Sequence, residues 1–188
     1  MLISSVWRGG SRWWFSAGLL VGGFTSSLVA VALGTSLLRP LLPVRVAVGV
    51  VLTVFVVIAL QEFGIFRLRL PQNARQVPES ISADGARYGA LHFGFEMGSG
   101  VRTYMTSGLP HVLAAGVLLV AGWPAALLAG VGFGAGRALM VLSRHAYGDD
   151  GRWDQSLARY DTSIRALMTL ATAFAYGSIL YTTVAGAA

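Results

Sequence analysis

Five apolar stretches, each long enough to cross a bilayer, constrain this chain more than any other feature. They cover residues 15–38, 43–66, 89–122, 125–143 and 162–184, and the arginines lie mostly between them. A soluble fold of 188 residues would have to hide all five in one core, whereas a hydrocarbon layer about 30 Å thick accepts runs of roughly 20 apolar residues directly. Composition agrees: the chain is 55% hydrophobic and 12% charged, with a mean hydropathy of +0.65. In lipid only a helix satisfies its own backbone unaided, so even the Val-rich centre of 43–66 is expected to be helical. The expected fold is all-α: one polytopic membrane domain spanning 1–188.

The third stretch does not fit a single straight crossing. At about 1.5 Å per residue its 34 residues would run roughly 51 Å as one helix. It also carries His92, Glu96, Arg102, Pro110 and His111. A break is expected between Gly98-Ser99-Gly100 and Gly108-Leu109-Pro110, two breaker sites that bracket Arg102. The alternative, a tight hairpin crossing twice, is separated from the broken single crossing by charge. With five crossings, ten arginines from the lead, the 67–88 linker and the 144–165 region share one face, and Arg39 and Arg45 take the other. With six crossings that bias disappears. The reading is therefore five crossings with the N-terminus cytoplasmic and the C-terminus outside, in the plasma membrane of a bacterium.

Along the chain, residues 1–14 read as a cytoplasmic lead whose Trp7, Trp13 and Trp14 suit the headgroup level. Residues 15–66 form a two-span hairpin turned at Arg39-Pro40, with a small-residue stripe at Gly18, Gly22, Gly23, Ser26 and Ser27 for close helix approach. Glu62 reads as a solvated or arginine-paired helix terminus. Residues 67–88 are a polar linker, and 89–188 hold three spans. A second close-packing face is expected from Gly130, Gly132, Gly134 and Gly136, and 144–161 reads as a polar connection. Within it, Asp161 and Arg165 have supportive helical spacing. The run is read as a retained first span rather than a cleaved leader, because no cleavage site with a polar mature start follows it.

Ionisable residues inside an apolar run are costly, so they are functional candidates by default. Glu96, Arg102, Ser107 and Arg137 are the expected cavity residues. His92 and His111 are candidates for a polar relay, with His92 and Glu96 four apart on one helix face. Arg137 is also within snorkelling reach of the boundary, and His111 is placed to bond a carbonyl released by Pro110. Gly98, Gly100, Gly108 and Pro110 form the expected break. GDDGRWD has carboxylate spacing like that of a calcium loop but lacks the later bidentate Glu. No zinc motif, phosphate loop or catalytic triad is found, so neither a metal site nor a cofactor is expected and the enzyme reading is weak. The net charge of +6 is borne by connections between spans and implies no nucleic-acid partner.

The segments FGIFRLRLPQNAR, LHFGFEMGSGVRTYMTSGLP and AALLAGVGFGAGRALMVL together resemble the membrane domain of the cytochrome c biogenesis and thiol-disulfide carrier family, CcdA and the central part of DsbD. The resemblance covers roughly residues 15–142. It implies a helical membrane fold with a proline-cysteine motif near Ser107, and a first span that this chain lacks. The chain has no cysteine, and a serine cannot exchange disulfides. The expectation is a transporter-like or solute-gating protein. The alternatives are an accessory subunit of a larger membrane complex, as a homo-oligomer or with a partner membrane protein, and a redox relay that borrows a partner's cysteines.

Overall fold

Six helices account for most of the computed structural model, which describes residues 11–70, 85–100, 105–148 and 150–185. They are α1 (Ser11–Leu33), α2 (Val44–Glu62), α3 (Ala86–Gly98), α4 (Leu109–Leu119), α5 (Trp123–Tyr147) and α6 (Asp150–Ala185). Among the described residues there is no strand. Three helical segments among the described residues are long and apolar enough to cross a membrane: Ser11–Leu38, Val44–Glu62 and Trp123–Tyr147.

The helix boundaries follow local chemistry. α1 widens into a π-helical turn over Gly34–Leu38, closed by the Arg39 N–H donating to Gly34 O at 2.9 Å, and Pro40 then blocks continuation. α5 carries Pro124 in its first turn and is followed by Gly148, whose φ of +75° suits a helix C-terminal stop. Residues expected as one 34-residue run are two helices. α3 stops at Gly98, and Gly100 turns the chain with φ of +72°. α4 starts after Gly108 with Pro110 in its first turn.

At three places the helix limits differ from the limits of the apolar stretches. Residues 11–14 of the presumed lead are already helical, and residues 86–88 of the presumed linker open α3. Within the connection expected over 144–161, α5 continues to Tyr147 and α6 begins already at Asp150. Polar side chains there follow helical spacing, as the Asp161–Arg165 pair shows, and polarity alone does not break a helix. Residues 1–10, most of the polar linker and Arg102 lie outside the described residues.

The chain forms two compact units. The first draws on residues 1–28, 71–104 and 127–153, the second on 29–70, 105–126 and 154–188. In the first, α1, α3 and α5 approach at their glycines. A side chain on Gly94 would strike the Phe15 carbonyl, one on Gly98 the Leu19 carbonyl, and one on Gly18 the Leu91 carbonyl. These pairings make α3 parallel to α1. On α5, Gly130 abuts Gly23 and Ser27 while Gly134 abuts Leu19, so α5 is antiparallel to α1. Such backbone proximity maximises van der Waals contact, the main attraction available between helices in lipid. Gly132 and Gly136 meet nothing within 4 Å, so only alternate members of the expected α5 face pack. Phe15, Leu19, Ala90 and Ala138 fill the core, and the Ser26 hydroxyl donates to Ser99 O at 2.9 Å, satisfying a carbonyl at the end of α3.

In the second unit α4 packs on α2 and on the π turn. Its core is Val51, Ile58, Val112 and Tyr176. Gly116 leaves room for the Tyr176 ring, and the Tyr176 hydroxyl donates to Val112 O at 2.9 Å.

Candidate functional site: a short helix held at both ends

α4 has 11 residues and is therefore about 16 Å long, well short of the hydrocarbon thickness. A short helix in an apolar setting exposes unpaired N–H groups at one end and carbonyls at the other, each costly to bury. In this chain both ends are met by charged side chains from distant sequence.

At the N-terminus, Glu62 at the end of α2 reaches the first turn of α4. Its Oε1 accepts from the Gly108 N–H at 2.6 Å and from the Ser107 hydroxyl at 2.9 Å. Ser107 Oγ in turn accepts the Leu109 N–H at 3.1 Å, Pro110 has no N–H to satisfy, and the His111 N–H donates to Gly108 O at 2.9 Å. Every donor of the turn is thus accounted for. Glu62 Oε2 accepts from Arg165 Nη1 at 3.0 Å, and Arg165 also donates to Asp161 Oδ2 at 2.7 Å and to Thr106 O at 3.4 Å. The Glu62 side chain is 2% exposed, against 33% for Arg165. Its charge is tolerable because two donors, one guanidinium and the positive end of a helix dipole surround it.

At the C-terminus, Arg39 donates through Nη2 to Val117 O and Ala121 O, both at 2.7 Å, and through Nε to Leu118 O at 3.1 Å. Burial lowers the Arg39 pKa from its ordinary value. A carboxylate at the N-terminus and a guanidinium at the C-terminus match the helix dipole at both ends.

Of the expected site residues, Ser107, Gly108 and Pro110 fall in this cluster, and His111 follows within α4. Glu96, His92 and Arg137 belong to the first unit. There His92 Nε2 lies 3.9 Å from Glu96 Oε1, on the shared face that their spacing implies. Arg137 lies over the Phe133 ring, 5.7 Å from its centre. Gly98 and Gly100 end α3. Arg102 lies outside the described residues. Among the described residues, no three His, Asp or Glu side chains gather as a metal would require.

Sequence reasoning passed over Glu62, Arg165 and Arg39 as chemistry. The sequence allows an arginine partner for Glu62 but does not name it, since that partner lies 103 residues away and the other contacts 45 and 46 residues away. The available signal was the position of Glu62, an acid at the end of an otherwise apolar helix.

No protein-family model, curated protein or solved structure matches the chain. The resemblance to CcdA and DsbD thus rests on its residue pattern alone.

Proposed function

We propose that the chain is a small membrane transport or solute-gating protein whose gate is the Glu62–Ser107–Gly108–Arg165 cluster. The observation that carries the reading is a carboxylate, 2% exposed, docked on the first turn of a helix too short to cross and bonded to an arginine of a third helix. Discontinuous helices recur in transporters because their ends offer unpaired backbone groups and dipole charge to a passing solute. Here the protein's own carboxylate holds that position. A solute passing the start of α4 must displace Glu62 or move with it, and Arg165 restores the closed arrangement. The membrane reading extends to five crossings. The third is made through the broken α3–α4 region and the fifth by the apolar part of α6, with the N-terminus cytoplasmic and the C-terminus outside a bacterial plasma membrane.

The test is flux into proteoliposomes holding the purified chain, with chloride, phosphate, small carboxylates and protons assayed separately. At least one should move faster than through protein-free vesicles. Glu62→Gln keeps the shape but removes the attraction for Arg165, and should change that rate several-fold. Flux no greater than that of empty vesicles for the whole panel, or identical rates for wild type and Glu62→Gln, would sink the proposal.

A further inference from the structure

The first unit carries a groove that the gate does not use. It occupies about 550 Å³ between α1 and α3 and is lined by Gly18, Val21, Tyr88, Leu91, His92 and Phe95. Its floor exists because Gly18 lets the two backbones meet; any side chain there would strike the Leu91 carbonyl. Val21, Leu91 and Phe95 make its inner part apolar, while Tyr88 and His92 bring polar atoms to the part nearer the start of α3. Val21 is 51% and Tyr88 73% exposed, so the groove opens outward from a helix long and apolar enough to cross a membrane, where a bilayer would present lipid to it.

Helix direction fixes what lies at that end. Since α3 is parallel and α5 antiparallel to α1, the first turns of α1 and α3 and the last turn of α5 share one end of the unit. That end collects Arg12, Arg87, Arg144 and His145. Arg12 donates through Nη1 to His145 Nε2 at 2.5 Å, which leaves the other guanidinium N–H groups of Arg12 as donors. Trp13 and Trp14 are exposed beside them, as aromatic residues are at the headgroup level. Glu96, the carboxylate one turn beyond His92, lies near His92 and further from this end.

We infer that this groove binds an anionic phospholipid, with one acyl chain laid along Gly18 and Val21 and the phosphate held at the arginine-rich end. Charge decides the occupant: a zwitterionic lipid would fill the apolar part equally well but would gain little from the basic end. Basic residues near a membrane surface favour anionic headgroups, each by enough to make the combined preference about tenfold or more.

Native mass spectrometry of the full chain in detergent, titrated with dioleoyl phosphatidylglycerol or dioleoyl phosphatidylcholine, tests the inference. Wild type should retain one phosphatidylglycerol at a concentration about tenfold lower than phosphatidylcholine requires. Val21→Trp fills the groove from an exposed position and should reduce retention of both lipids. Combined Arg12→Gln and Arg87→Gln should leave phosphatidylcholine retention unchanged while removing the preference. Equal retention of the two lipids by wild type would overturn the inference, as would undiminished phosphatidylglycerol binding by Val21→Trp. If Val21→Trp melts below wild type, Tyr88→Ala, at an exposed position, takes its place and must weaken phosphatidylglycerol retention for the inference to stand.

Discussion

Glu62 and Arg165 illustrate how unequal two ion pairs of one residue can be. Arg165 bonds Glu62, which is 2% exposed, and Asp161, which is 53% exposed. The second pair sits in a high-dielectric, screened setting, where an i,i+4 bridge contributes a few tenths of a kcal/mol. The first holds a desolvated charge in place. Arg165→Met should therefore lower stability by about 3 kcal/mol, since it leaves a buried carboxylate without its cation. Asp161→Asn should cost under about 0.5 kcal/mol. Denaturation of the detergent-solubilised protein checks both, and adding Glu62→Gln to Arg165→Met should recover part of the loss. Similar losses from the two single changes would mean that Glu62 is not held as a buried charge.

At the scale of elements, the close approach of α1, α3 and α5 depends on which glycines face a neighbour. Gly94 is buried with the Phe15 backbone where its side chain would be, whereas Gly132 has open space. Gly94→Leu should force α1 and α3 apart and destabilise the unit by several kcal/mol through overpacking, while Gly132→Leu should be nearly neutral. Thermal unfolding of the two variants under the same conditions separates them. Equal melting temperatures would count against this packing. The sequence displayed the candidates for both faces, Gly18 and Gly22 on α1 and the alternating glycines of α5. It did not say which alternate members pack, because a straight helix places residues two apart on different faces and only a neighbour selects one.

For the whole molecule, topology is the property with the cheapest test. The chain has no cysteine, so single cysteines at Ser5, Pro43, Gln76 and Gly148 can be read one at a time with an impermeant thiol reagent on intact cells. Five crossings require Pro43 to label from outside and Ser5, Gln76 and Gly148 to label only after permeabilisation. Outside labelling at Gly148 would instead favour the six-crossing hairpin.

Sequence patterning by itself determined the helical class and five candidate crossings, three of which are helices long and apolar enough to cross among the described residues, and its glycines and proline marked where the 89–122 run breaks. These features follow from local backbone chemistry and from the solvent each residue prefers. Tertiary structure alone decided which side chains meet the helix that starts after the break. Glu62, Ser107, Gly108 and Arg165 meet across separations of 45 to 103 residues, and Arg39 closes the other end of α4 from 78 to 82 residues away. A helix end needs charge and hydrogen bonds, and local sequence announces that need at Gly108 and Pro110. Which side chain meets it depends on how the helices pack, and no local pattern encodes that choice.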